Sequence, residues 1–190
     1  HLPEETGMLA TDAGVYDLGG ASLEVGTCTT NHEFTDVAFE GPFSEPPVVL
    51  LQSQTETGAD PIVPRARNVS REGMEVLVQE EDGEENGGYH YAETVGYLAV
   101  PAGRRVLDGR GVEAGVATVD HGWTRIAFDG SYDDPVFLAS VQSYEGWNTV
   151  TVRYRNLTGD GVEVMLQEEQ SDDDEMGHVP ETVGYLVVEG

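Results

Sequence analysis

The chain writes one eleven-residue segment twice: "HYAETVGYLAV" ends at Val100 and "HVPETVGYLVV" ends at Val188. Setting positions 47–100 against 135–188 without a gap gives 22 identities in 54 pairs. Upstream the match continues after a shift of one residue, "FTDVAFEGPF" over "WTRIAFDGSY", which puts the extra residue in the loop around 44–46. A duplication of this extent restricts the fold more than any single motif, because each copy must close a core from its own short stretch of chain. The expected organisation is an N-terminal extension at 1–19, one unit at 20–101 and a second at 105–190, joined by "PAGRRVLDGRG".

Apolar residues recur with period two in short runs bounded by Gly, Pro, Asn and Asp, and no stretch has helical spacing. In the first unit the pattern predicts strands at 21–27, 34–40, 47–54, 62–69, 73–80 and 93–100. The fold class is therefore all-β, two tandem six-stranded antiparallel sandwiches. "ETVGYL" is the sixth strand, with Val95 and Tyr97 on one face and Leu98 and Val100 on the other. Gly96 and Gly184 within it are read as sites of close backbone approach. In the hairpin "VPRARNVSREGMEVLVQ", pairing Arg67 with Glu75 sets Ala66 opposite Val76 and Pro64 opposite Val78. The second copy then pairs Arg155 with Glu163, Tyr154 with Val164 and Val152 with Leu166. One face of each hairpin is apolar and the other charged. Arg65, Arg67, Arg153 and Arg155 are either cross-strand partners of glutamate or anion and sugar contacts, the first reading being favoured.

The stretches "VAFEGPFSEPPVVLLQSQ" and "RARNVSREGMEV" resemble the H-type lectin domain, a family of small agglutinins also appended to many microbial proteins. The second copy keeps "IAFDGSYDDPVFLASVQS" and "VRYRNLTGDGVEV". The resemblance implies a six-stranded sandwich that trimerises, with carbohydrate held in clefts between neighbouring protomers by loop aspartates, an Arg and an aromatic-His pair after the fifth strand. This chain has Pro61 and Thr149 where those lectins place the Arg, and "QEEDGEENGGYHY" and "QEEQSDDDEMGHV" where they place the aromatic-His pair.

The 36 acidic residues against nine basic ones leave a formal charge of -27, and all nine basic residues are Arg. Such a surface excludes nucleic acid as a partner, since phosphate binding requires a basic face. An acidic chain without lysine is expected to work in concentrated salt, where screening suppresses self-repulsion. The one cysteine, Cys28, permits no intrachain disulfide and is read as a buried free thiol or a cross-link between copies. No run of 18 apolar residues is present, so no membrane span is expected. A start at His1 instead of Met is read as a processed secreted protein or a piece of a longer one. The expected location is extracellular, at a cell surface or on a virion.

Several residues are candidates for chemistry. The acidic loops keep Glu80, Glu81, His90 and Glu93 in register with Glu168, Glu169, His178 and Glu181, and these carboxylates are a candidate Ca²⁺ site. The alternative is a solvated loop in which His90 and His178 tie the chain down at the start of the last strand. Tyr144, Trp147, Tyr89 and Tyr91, together with His90 and His178, are the carbohydrate-binding candidates, because aromatic faces stack on sugars. Asn68 in "NVS" and Asn156 in "NLT" are glycosylation candidates at equivalent corners, where turn chemistry is the competing reading. No nucleophile elbow, phosphate loop or paired catalytic set is present, and no enzyme is expected. The expected function is an extracellular carbohydrate-binding or adhesive module, with glycans or other surface-protein subunits as partners. The alternative is a structural subunit of a surface filament or virion appendage. In either case Leu77 and Met165 on the charged hairpin face predict a homo-oligomer, a trimer or a polymer of trimers.

Overall fold

The structure, a computed structural model, describes residues 8–18, 20–41, 43–80, 89–107, 109–170 and 176–190. Residues 14–100 hold β1 (Gly14–Asp17), β2 (Ser22–Thr30), β3 (Thr35–Ala38), β4 (Val48–Ser53), β5 (Ile62–Arg67), β6 (Gly73–Glu80) and β7 (Glu93–Val100). Residues 103–188 repeat the series as β8 (Gly103–Leu107), β9 (Arg110–Val119), β10 (Thr124–Ala127), β11 (Val136–Val141), β12 (Val150–Thr158), β13 (Gly161–Glu168) and β14 (Glu181–Val188). The described residues contain no helix, and so none long and apolar enough to cross a membrane.

All pairing is antiparallel, in sheets of order β1-β2-β7-β4 and β3-β6-β5, then β11-β14-β9-β8 and β10-β13-β12. In each half a four-stranded and a three-stranded sheet enclose one apolar cluster, so each is a β-sandwich. Val49, Leu51, Val95, Tyr97 and Ala99 meet Val37, Met74, Val76 and Val78 in the first. Phe137, Val183, Tyr185 and Val187 meet Ile126, Val162, Val164 and Leu166 in the second.

Each sandwich has seven strands where the periodicity predicted six. The added ones, β1 and β8, fall in stretches read as extension and linker. β1 pairs with β2 of its own sandwich from Gly14↔Val25 to Asp17↔Ser22, and β8 pairs with β9 from Gly103↔Ala114 to Leu107↔Arg110. Both are edge strands with mostly exposed side chains, so neither carries the alternation that marks a buried strand.

The hairpin registers are those expected: Arg67↔Glu75, Ala66↔Val76 and Pro64↔Val78 in the first copy, and Arg155↔Glu163, Tyr154↔Val164 and Val152↔Leu166 in the second. Each "ETVGYL" segment is an interior strand, β7 between β2 and β4, and β14 between β9 and β11. The glycine within it answers to a side chain and not to backbone. A Cβ at Gly96 would stand 2.2 Å from Nε2 of Gln54, and one at Gly184 2.2 Å from Oε1 of Gln142.

A third apolar cluster lies between the sandwiches. The outward residues Val48 and Leu50 of β4 and Leu98 and Val100 of β7 pack on Val112, Ala114 and Leu186 of the second sandwich. β7 is thus buried on both faces, which explains its nearly unbroken apolar run. The outer edge of β4 is closed by side chains instead of a further strand. Val49 N donates to Oε1 of Gln142 at 3.1 Å and Leu51 N to Oγ of Ser140 at 3.0 Å. These contacts occupy edge amides that would otherwise template another strand.

Candidate functional site

The duplicated histidine and glutamate form a buried Glu-His-Glu cluster at the end of each sandwich. In the first, His90 Nδ1 lies 2.6 Å from Glu80 Oε1 and its Nε2 lies 3.0 Å from Glu93 Oε1. In the second, His178 Nδ1 and Nε2 lie 3.2 Å from Glu168 Oε1 and from Glu181 Oε1. β6 or β13 ends on the first carboxylate, the acidic loop brings the imidazole back, and β7 or β14 begins on the second carboxylate. All six side chains are buried.

The second carboxylate also fastens the loop after β4 or β11. Glu93 accepts from the Thr55 hydroxyl, from Thr57 N at 2.6 Å and from Gly58 N at 3.3 Å. Glu181 accepts from Ser143 Oγ at 2.5 Å, Glu145 N at 3.0 Å and Gly146 N at 2.9 Å. Gly58 and Gly146 lie against the imidazoles, since a Cβ there would stand 2.4 Å from Cε1 of His90 or 2.5 Å from Cε1 of His178. Burial alone would raise the Glu93 and Glu181 pKa values. The hydroxyl, amide and imidazole donors outweigh it and hold both at about 2. Burial disfavours the imidazolium in turn, but the carboxylates on both ring nitrogens raise His90 and His178 above their ordinary value. The arrangement is a structural clamp that joins the strand ends to a loop.

One side chain distinguishes the two clamps. Arg65, wholly buried, leaves β5 and crosses to the second sandwich. Its NH2 donates to Glu181 Oε1 at 2.7 Å, and its NH1 donates to the Gly146 and Asn148 carbonyls at 3.1 and 3.2 Å. Its guanidinium lies 4.3 Å from the centre of the Tyr144 ring, which in turn meets Phe34 edge-on at 5.3 Å. Gln79 Nε2 donates to the Trp147 carbonyl and Thr149 Oγ1 to the Glu80 carbonyl. Leu77, expected at an interface between chains, is buried within this one. Arg67 and Arg155 make the favoured cross-strand pairs, 2.5 Å to Glu75 and 2.7 Å to Glu163. Arg153, the counterpart of Arg65, is exposed.

The aromatic candidates separate. Tyr89 and Tyr91 are exposed and meet edge-on at 5.8 Å, with His32 4.6 Å from Tyr89. Trp147 is 81% exposed, whereas Tyr144 is half-buried in the contact between sandwiches. Pro61 and Thr149, the positions of the lectin Arg, line one open groove between the sandwiches with Arg153, Gln167, Glu168 and Glu169. Glu169 is half-buried, its amide donating to the Thr149 carbonyl at 2.9 Å. Glu81 lies outside the described residues. Among the described residues no group of three or more His, Cys, Asp or Glu is placed to hold a metal ion. Cys28 is a half-buried free thiol. Asn68 and Asn156 are exposed at φ 51 and φ 50; their side-chain amides donate to Glu75 at 3.0 Å and Glu163 at 2.6 Å, as turn chemistry requires.

Sequence reasoning missed Glu24 and Glu113, both buried. Glu24 accepts from Tyr97 OH at 2.7 Å and Glu40 N at 2.9 Å; Glu113 accepts from Tyr132 OH and Asp129 N, both at 2.9 Å. Burial and the glutamate raise the tyrosine pKa values, that of Tyr132 to about 12. The signal was the Glu-x-Gly repeated at Glu24 and Glu113. A Cβ at Gly26 or Gly115 would stand 2.4 or 2.5 Å from the hydroxyl of Tyr97 or Tyr185.

The chain is 31% identical over 191 residues to part of halomucin from Haloquadratum walsbyi, an alignment covering 98% of this chain. The chain spans 2% of the length of that curated relative. The likeness to a haloarchaeal protein agrees with the halophilic origin suggested by the composition. No protein-family model matches the chain, and no solved structure matches it.

Proposed function

We propose that the chain is a non-catalytic, salt-adapted module of an extracellular protein, in which two sandwiches are locked together as one stiff adhesive or structural spacer. The observation that carries this is Arg65, which inserts from the first sandwich into the clamp of the second. An inter-sandwich apolar cluster adds to that tie, whereas units meant to move independently meet through smaller and more polar contacts. The relative is named a mucin, and from that name we take an extracellular setting. In support of a non-catalytic role, both ring nitrogens of His90 and of His178 are taken by carboxylates, which leaves neither imidazole a nitrogen for a substrate proton.

A second reading keeps the H-type lectin arrangement and carbohydrate binding. It is favoured by the groove that places Pro61 and Thr149 together beside Arg153, and by the exposed Tyr89 and Tyr91. A glycan array run in multi-molar salt separates the two. The spacer reading expects no glycan retained. Retention that is lost on Arg153→Ala or Tyr91→Ala establishes the lectin reading in its place.

A further inference from the structure

The corner that closes each hairpin is a repeated feature to which the spacer assigns no role. Asn68-Val69-Ser70 follows β5 and Asn156-Leu157-Thr158 ends β12, at equivalent places in the two sandwiches. Turn chemistry accounts for the asparagines, which sit at positive φ. It does not account as well for the hydroxyls. Ser70 Oγ donates to the Gly73 carbonyl at 3.0 Å, but that carbonyl already accepts from Ser70 N at 2.8 Å. Thr158 Oγ1 likewise donates to the Gly161 carbonyl at 3.0 Å, where Thr158 and Gly161 are already a ladder pair. The hydroxyls thus duplicate bonds that the backbone makes, yet both copies keep one two residues after the asparagine. The joint pattern, Asn-x-Ser or Asn-x-Thr on an exposed corner, is the acceptor pattern for N-linked sugar.

The geometry leaves room for the substituent. Both asparagines are exposed. Each Nδ2 carries two hydrogens and uses one, Asn68 to Glu75 Oε1 at 3.0 Å and Asn156 to Glu163 Oε2 at 2.6 Å. A glycosyl group on Nδ2 replaces a single hydrogen, so the bond to glutamate survives and holds the first sugar at a fixed angle to the hairpin. The corners also stand away from the clamps. β5 pairs from Ile62↔Glu80 at the clamp to Arg67↔Glu75 at the corner, a span of roughly 17 Å along the strand. β12 repeats that span from Val150↔Glu168 to Arg155↔Glu163.

We propose that Asn68 and Asn156 each carry an N-linked glycan, one on the same corner of each sandwich. The co-substrate is a lipid-linked glycosyl phosphate. The bond from its anomeric carbon to the phosphate oxygen breaks, a bond from that carbon to Asn Nδ2 forms, the phosphate leaves on the lipid and one Nδ2 proton is lost to base. This rests on the extracellular reading, because such acceptors are used on exported chains. Two bulky, hydrated groups at corresponding corners add uncharged solvating surface to a chain whose own surface is acidic.

Intact-mass measurement and glycopeptide mapping test it on the full chain, exported by a haloarchaeal host and recovered from the medium. The expected result is a mass above the 20.5 kDa of the polypeptide by two glycan increments, mapped to Asn68 and Asn156. Asn68→Gln and Asn156→Gln should each remove one increment. Ser70→Ala and Thr158→Ala should do the same although the asparagine remains, and Thr158→Ser should retain it. Mapping of the parent chain decides the matter even where a variant fails to fold. A polypeptide of unmodified mass, added mass that survives the double Asn→Gln variant, or sugar mapped to other residues alone overturns the proposal. Any of these leaves the spacer reading standing, since that reading is tested by retention of foreign glycans and not by sugar on the chain itself.

Discussion

His90 and His178 are the residues on which the rest of each sandwich end depends, because each closes a loop, a strand end and a strand start at once. Their pKa values are raised and those of Glu93 and Glu181 are held near 2, so the clamp is most stable as imidazolium between carboxylates. A raised histidine contributes stability that is complete below its ordinary value of 6.5 and is lost as pH rises through its folded value. A lowered glutamate contributes stability that is complete above its ordinary value of 4.5 and is lost as pH falls toward about 2. At constant high salt the melting temperature should therefore be greatest between about pH 4.5 and 6.5. It should fall on both sides, and His90→Gln with His178→Gln should remove the alkaline fall but not the acid one. A melting temperature that climbs from pH 6 to 8 in the parent chain would show that the clamp holds neutral imidazoles.

Among the elements, β5 and β12 show how one strand sequence serves two purposes. Both carry Arg-x-Arg, and in both the second arginine pairs across the hairpin with a glutamate while lying over an aromatic ring. Arg67 lies 3.5 Å from the Phe34 ring centre and Arg155 lies 4.0 Å from that of Trp123. The first arginine differs only in what stands opposite it. Replacing Arg65 by Ala strips a buried carboxylate of its guanidinium and should cost about 3–5 kcal/mol. Arg67→Ala removes a half-exposed cross-strand pair worth roughly 0.2–1 kcal/mol. Arg153→Ala, at an exposed position where solvent screens what the side chain meets, should cost no more than about 1 kcal/mol. Denaturant melts of the three variants rank them, and equal losses from Arg65→Ala and Arg153→Ala would mean that the sandwiches are not locked in solution.

At the scale of the whole molecule, charge and packing oppose one another. The screening length is roughly 3 Å at 1 M salt and roughly 10 Å at 0.1 M, so the repulsion within a chain of formal charge -27 grows steeply on dilution. The inter-sandwich contact should fail first, because it joins two acidic bodies through a modest apolar cluster, one buried arginine and a few neutral hydrogen bonds. Calorimetry across a salt titration should give one transition in multi-molar salt and two as salt is lowered, with Arg65→Ala giving two at every salt concentration. A single transition of constant midpoint throughout would refute both the lock and the salt adaptation.

The chain's own pattern determined what is local. Period-two alternation and the turn residues located six strands per repeat and set both hairpin registers, because strand pairing across a tight turn is decided by neighbours a few residues apart. The duplication exposed the clamp residues in pairs, since His90 with Glu93 recurs as His178 with Glu181. β1 and β8 escaped notice, being edge strands whose side chains face water and carry no alternation. Only the tertiary structure decided between Arg65 and Arg153, or sent Tyr144 into the contact while leaving Trp147 exposed. Two copies with nearly the same local sequence have the same local preferences, and what separates them is which partners the contact between the sandwiches supplies: Glu181 receives Arg65 from the other sandwich, whereas Glu93 takes its donors from its own.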